Sequence, residues 1–380
     1  MEITIIGWYG TETIGDRAIL AGIFKIISEC SSSYKIRLGS LYPFYTERTV
    51  YEDIAFYKEI SSNKMSEFVV FDSRDPQALR HNIKKSDLLM VGGGPLMDLT
   101  EMNMLEYSFS VAKKNSIKSL LFGCGWGPLK KQKTIEIATR LVELADMVVF
   151  RDSDSKKQCL NFCSRFANKI ESSLDPAFFT CDFFVKNKKE PRRESHIAIN
   201  FRDVSVEKDQ YYEGMSLDDI FFKLVKNISG KTNLPIHLVP MHNFFIGGDD
   251  RCFLNKIEKG LNIKKVMTIH KPMNLYQTMD IYYHAKLCVG MRFHSIVLQT
   301  ILNGNNYIVD YTNPNNGKII GMIHQLDLFK FYSGRYFSIH TENDIFDIDI
   351  NNKNRFIYDE SMLAGYFNKY VAILQGIMKK

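Results

Sequence analysis

An α/β protein of two doubly wound lobes is the fold class this sequence predicts, on three observations. Short β-branched or apolar runs alternate with helix-period segments along most of the chain. That is the pattern of βαβ units around a parallel sheet covered on both faces. The alternation pauses at a charged stretch over 185–194 that contains Pro191, and then restarts. Finally, 380 residues at roughly 100–200 per domain supply about two cores.

Taken in order, the first lobe places strands at 3–6, 35–38, 68–71, 88–91, 119–122 and 147–150. A helix over about 17–28 follows the first of them. Between the last two, Ile135, Ala138, Leu141, Val142 and Ala145 share one helical face, with Glu136, Arg140 and Glu143 turned away. After the pause, strands are expected at 196–201, 236–239, 265–269, 287–290 and 307–310, and helices at 217–225, 249–259 and 293–302. The amphipathic tail 361–378 reads as a helix that crosses back to brace the first lobe. The expected domains are therefore 1–185 and 195–345, with the closing helix over 358–380.

Composition narrows the function classes. Hydrophobic residues at 45% and charged residues at 24% are ordinary for a globular protein. The 49 Lys+Arg against 43 Asp+Glu leave +6, which suits an anionic substrate. No basic run is long enough to track a phosphate backbone, so nucleic acid is not an expected partner; the clusters at 130–133 and 186–193 read as solvated loop and linker charge. Seven cysteines, an odd number, argue against a disulfide framework. Cys159 and Cys163 have no second pair at zinc spacing, and no metal is expected. The opening MEITIIGW lacks the basic start and long apolar stretch of a secretory signal, and no apolar segment approaches the ~18 residues of a membrane span. A soluble, cytoplasmic protein is the expectation.

Ligands of open α/β sheets collect at the carboxyl ends of strands, and glycines gather there in this chain. Gly7, Gly10 and Gly15-Asp16 follow the first strand without matching GxGxxG, so Gly15-Asp16 reads either as a turn with a helix cap or as a ligand contact. Gly92-Gly93-Gly94-Pro95 suggests bare backbone amides at a helix start, open to an anion or a sugar. A second run, Gly123 to Pro128, lines the same edge; within it Trp126 either stacks on a sugar or fills the core. The sharpest cluster is Gly290-Met291-Arg292-Phe293-His294-Ser295, between a strand and an amphipathic helix. A guanidinium that grips an anion beside a titratable imidazole suits acid–base work on an anionic substrate; capping and a surface ion pair are the alternative. Arg202, Arg151, Lys318 and His242 also fall at strand exits, and Asp249-Asp250 reads as cap or ligand contact. His237 and His284 read as packed or exposed residues.

These pieces resemble one family, the polysaccharide pyruvyl transferases. The matching segments are GWYGTETIGDRAIL (7–20), VGGGPLMD (91–98), GCGWGPL (123–129), FRDSDS (150–155), LDPAFF (174–179), INFRD (199–203), VGMRFHSI (289–296) and NPNNGKIIG (313–321), in family order across about the first 320 residues. The resemblance implies two Rossmann-like domains of the glycosyltransferase-B kind, the first on the acceptor side and the second on the donor side. It implies transfer of the pyruvyl unit of phosphoenolpyruvate onto a sugar of a cell-surface polysaccharide or its precursor, as a ketal, with no metal or redox cofactor. By position, Arg292 and His294 take the family's Arg/His motif as catalytic residues. Arg202, Arg292, Lys318 and Ser295 become donor-binding, while Gly10, Gly15, Asp16, Gly93, Gly94, Trp126, Arg151 and His242 line the cleft or acceptor side. Thr13 and Arg17 depart from the family, which often has Asn and an acidic residue there, so acceptor identity carries over least. The acceptor reads as either lipid-linked or nucleotide-linked; the former would place the enzyme at the inner membrane face, and a homo-oligomer is compatible with either. Two other readings stay open: a nucleotide-sugar glycosyltransferase of the same fold, and a non-catalytic glycan-binding protein. The donor reading requires that the guanidinium groups not be neutralised already by carboxylates.

Overall fold

A computed structural model describes residues 1–204, 217–312, 317–339 and 347–379. The chain forms two compact units: Met1–Glu12, Asp16–Thr180 and Asp359–Lys380 make unit 1, and Thr13–Gly15 with Cys181–Tyr358 make unit 2. The charged stretch over 185–194 thus lies inside unit 2.

Unit 1 is built on strands β1 (Glu2–Ile6), β2 (Tyr34–Ser40), β3 (Met65–Asp72), β4 (Leu88–Gly92), β5 (Pro95–Leu96), β6 (Lys118–Trp126), β7 (Met147–Phe150) and β8 (Ile170–Ser172). They form one sheet in the order β3-β2-β1-β4-β6-β7-β8, with β5 beside β6 and every pairing parallel. β4 is buried at all five positions, as a strand covered by helices on both faces must be. The helix Gln132–Leu144 buries Ile137, Ala138, Leu141 and Val142, close to the expected face. The C-terminal helix Glu360–Met378, capped by Asp359, completes this unit. Tyr370 anchors it, donating to the Leu174 carbonyl at 2.8 Å with its ring against Phe122 and Phe179.

Two glycine runs differ from expectation. Gly92-Gly93-Gly94 opens no helix; it leads into β5, and the next helix begins only at Met102. Nor is the segment from Gly123 a turn, because β6 continues to Trp126 across a register shift between Phe122 and Cys124. The helix Pro43–Ile60 was not legible because its buried face is half polar: Thr46, Thr49 and Asp53 beside Phe56, Tyr57 and Ile60. β5 and β8, two and three residues long, are too short to show a period.

Unit 2 holds β9 (His196–Ile199), β10 (Ile236–Leu238), β11 (Val266–Thr268), β12 (Ala285–Gly290), β13 (Asn306–Asp310) and β14 (Tyr336–Ser338). Their order is β11-β10-β9-β12-β13-β14, again all parallel. Among the described residues of this unit, only the short edge strand β14 lies outside the expected set. The strand order reverses between β9 and β12, and such a switch point opens a crevice at the carboxyl ends of the two strands. Arg202 follows β9 and Arg292 follows β12, so both arginines flank that point. His237 and His196 stack at 4.5 Å within the sheet, and His284 ends the helix Leu275–His284; all three are structural in placement.

Candidate functional site

The carboxyl edge of the second sheet gathers the charged candidates. Asn200, past the end of β9, joins neighbouring strand exits: its amide donates to Val239 O at 2.9 Å and its oxygen accepts Arg292 N–H at 3.1 Å. Arg292 is the N-cap residue of the helix Phe293–Leu302, so its side chain leaves at the sheet edge. Its Nε lies 2.8 and 2.9 Å from the two carboxylate oxygens of Asp250, and Nη2 holds the same group. Asp250 is buried and also accepts the N–H groups of Met241 and His242 at 3.0 and 3.1 Å. The expectation that Arg292 supplies uncompensated charge is therefore corrected: a buried carboxylate already balances it. Of the acidic pair, Asp249 caps the helix Asp250–Leu261 while Asp250 ties the β10 exit to Arg292.

Arg202 and Lys318 meet on a residue that sequence reasoning passed over. Tyr311, directly after β13, is buried. The Arg202 guanidinium lies 4.9 Å from its ring centroid, and Nη1 donates to its hydroxyl at 3.1 Å. Lys318 opens the helix Lys318–Gln325 and brings Nζ to 5.5 Å from the same centroid. Burial pushes the Tyr311 phenol up, but the charges of Lys318, Arg202 and Arg292 outweigh it and bring it down to about 8. Segment 313–316 of the quoted motif lies outside the described residues.

His294, half-buried on the first turn of the Phe293–Leu302 helix, packs edge-on against Phe293 at 5.1 Å. A Cβ on Gly15 would lie 2.1 Å from its Nδ1, so only glycine admits this ring. Thr13 bridges to His242, and Ile14 N–H donates to Met241 O at 3.0 Å, which brings the segment 13–15 into unit 2. His242 is buried against Gly247. Ser295 is fully buried and donates its hydroxyl to Arg292 O at 2.7 Å, a helix-internal bond that points it away from a donor contact.

In unit 1 the remaining candidates are packed or balanced. Arg151 is buried between Asp175 (3.5 Å) and Asp152 (3.8 Å), beneath Gly125. A Cβ on Gly93 would strike Ile19, and one on Gly94 would strike the Trp8 ring, so both glycines serve close packing. Gly10, at φ 95, passes tightly over Ser40 and Tyr42. Asp16 accepts from Thr11 at 3.3 Å. Trp126 is only 6% exposed, stacked on Phe162 and edge-on to Phe150, a placement that matches the core reading. Arg17 is buried against Asp53 and Glu52, so this basic residue carries its own counter-charges. Among the described residues no group of three or more His, Cys, Asp or Glu is arranged to hold a metal ion, and no helix is long and apolar enough to cross a membrane.

The family model described as "Polysaccharide pyruvyl transferase" matches residues 14–313. The chain belongs to the polysaccharide pyruvyl transferase family. Sequence comparison with curated proteins gives no significant match. Solved structures establish the fold of this pyruvyl transferase family member. UDP-GlcNAc 2-epimerase from Methanocaldococcus jannaschii is 13% identical with a TM-score of 0.60, covering 99% of this chain and 100% of its own. The Rickettsia bellii UDP-N-acetylglucosamine 2-epimerase is 11% identical at 0.57, covering 99% and 95%. The Neisseria meningitidis UDP-GlcNAc 2-epimerase bound to UDP-GlcNAc is 11% identical at 0.55, covering 99% and 100%. At these identities the likeness is one of fold: two Rossmann-like α/β domains of the glycosyltransferase-B kind.

Proposed function

We propose that this pyruvyl transferase takes the pyruvyl unit from phosphoenolpyruvate and joins it to two hydroxyls of one sugar, in a polysaccharide or its precursor, as a cyclic ketal. The atoms balance without a further reactant. One hydroxyl oxygen bonds the enol carbon while its proton ends, in net, on the methylene carbon, which becomes a methyl. The bond from the former enol carbon to the phosphate oxygen then breaks, the second hydroxyl oxygen takes its place on that carbon, and the second proton leaves with phosphate.

The observation that carries this reading is the positive charge that Arg202 and Lys318, converging on Tyr311, and Arg292 bring to the carboxyl edge of the second sheet. Such a field favours a small donor bearing about three negative charges and the charge that builds on departing phosphate. In this reading Arg202 and Lys318 draw in the donor, Arg292 is aimed by Asp250, and His294, fitted against Gly15, moves the proton between hydroxyl and methylene carbon. The balanced, glycine-packed edge of the first sheet suits an uncharged sugar. A lipid-linked acceptor would put the reaction at the inner membrane face.

The test is to incubate the protein with phosphoenolpyruvate or with UDP-sugars, each with lipid-linked and nucleotide-linked sugar acceptors. Release of phosphate with a new ketal methyl signal in the proton NMR spectrum is expected. Release of UDP instead would make it a glycosyltransferase.

A further inference from the structure

We propose that the outward face of the helix Pro43–Ile60 is a homodimer interface, packing antiparallel against the same helix of a second copy about a two-fold axis. The buried residues of this helix, Thr46, Thr49, Asp53, Phe56, Tyr57 and Ile60, take one side. The other side carries Phe44, Glu47, Tyr51, Ile54 and Lys58, spaced 3, 4, 3 and 4 residues apart, so they fall in one stripe along the helix. That alternation is the spacing of a coiled-coil seam. Phe44 is 75% exposed and Tyr51 83%, while Ile54 is half-buried. Large side chains this exposed, on a stripe of seam spacing, mark a contact surface.

The charges on the stripe choose the occupant. Glu47 and Lys58 are exposed, and among the described residues neither makes an ion pair. Their neighbour Arg48 pairs off the stripe, with Glu52 and Glu12. Glu47 and Lys58 stand about 16 Å apart along the axis, so within one helix they do not meet. Two antiparallel copies bring them together twice. Placing Glu47 opposite the partner's Lys58 sets Tyr51 opposite the partner's Ile54, because Tyr51 follows Glu47 by four residues and Ile54 precedes Lys58 by four. The seam then has an apolar centre at the two-fold axis, Tyr51 and Ile54 from both copies, flanked by two symmetry-related ion pairs. Phe44 lies at the end of the seam, toward the exposed turn at the partner's Ser62 and the partner's Asn63. A parallel pair would set Glu47 against Glu47 and Lys58 against Lys58, so charge selects the antiparallel one. Two helices of 18 residues, each about 27 Å long, bury less than the ~1,200 Å² of a standard interface, so the dimer is reversible, with a Kd on the order of 10 μM. None of the residues assigned to the donor enters this contact, which stands or falls apart from the pyruvyl chemistry.

The experiment is sedimentation equilibrium of the full chain over roughly 1–200 μM, for wild type, Glu47→Lys, Lys58→Glu, the double variant Glu47→Lys/Lys58→Glu and Tyr51→Asp. The substituted side chains are exposed, so the variants keep the fold, and circular dichroism checks that they do. Wild type is expected to pass from monomer to dimer as concentration rises. Each single reversal sets like charges opposite one another at both ends of the seam and is expected to weaken association at least about tenfold. The double variant re-forms both ion pairs with their signs exchanged and is expected to recover wild-type association to within about threefold. Tyr51→Asp places a carboxylate at the apolar centre and is expected to leave only monomer up to ~200 μM. A wild type that stays monomeric to ~200 μM overturns the proposal, as does a dimer that Tyr51→Asp leaves unchanged. Association weakened by each reversal but not recovered in the double variant overturns the antiparallel pairing, and the proposal with it.

Discussion

Asp250→Ala tests whether one buried carboxylate organises the switch point of the second sheet. Asp250 is 2% exposed. It accepts two backbone N–H groups, at 3.0 and 3.1 Å, and holds a guanidinium whose side chain is 18% exposed. Alanine removes the acceptor from all three. A buried N–H without its acceptor costs about 1–3 kcal/mol, and breaking one side of a buried ion pair about 3–5 kcal/mol. The losses overlap and Arg292 keeps some access to water, so the expected total is about 4 kcal/mol, or a Tm drop of about 10 °C for a unit of this size. Asp250→Asn keeps an oxygen for the two N–H groups but turns an amide donor toward the guanidinium, and is expected to cost about 2–3 kcal/mol. The assay is thermal unfolding by far-ultraviolet circular dichroism. Both tryptophans, Trp8 and Trp126, lie in unit 1, so their emission follows the other unit and serves as an internal control. A loss below about 1 kcal/mol in Asp250→Ala, or a shift seen only in the tryptophan signal, would refute the reasoning.

His294→Ala is expected to abolish phosphate release while leaving the circular dichroism spectrum unchanged; near-normal release would remove His294 from the mechanism. Gly15→Ala forces a Cβ against His294 Nδ1 and is expected to lower turnover at least tenfold through the displaced imidazole, read as kcat with folding checked by circular dichroism. Trp126→Ala should cost unit 1 about 3–5 kcal/mol in denaturant unfolding, yet leave phosphoenolpyruvate affinity unchanged by calorimetry.

The sequence disclosed the strands whose apolar runs are continuous, such as 88–91 and 147–150, because a doubly covered parallel strand has no polar face to confuse the pattern. It concealed the helix Pro43–Ile60, where Asp53 is buried as a partner for Arg17, a relationship set by tertiary contact and absent from any local period. At the site, chain position alone placed Arg202, Arg292 and Lys318 at strand exits. It could not tell which cation meets a carboxylate. The signal for Asp250 was present, since a helix start needs one capping aspartate and this one has two. Tyr311 gave a fainter signal: an aromatic residue immediately after a strand, seven residues before Lys318, whose importance appears only when Arg202 arrives from a distant strand.

The placement of counter-charges separates the two sheet edges. Along the first, the buried cations Arg17 and Arg151 each face carboxylates at close range, Asp53 and Glu52 for one, Asp175 and Asp152 for the other. Burying a charge is costly unless it is paired, and these pairings leave that edge with little field to offer an anion. Along the second, Arg292 is balanced in the same way by Asp250, while Arg202 and Lys318 lie against the ring of Tyr311. A phenol satisfies a guanidinium hydrogen bond without cancelling its charge. Burial raises the Tyr311 ionisation, and the charges of Lys318, Arg202 and Arg292 bring it down to about 8.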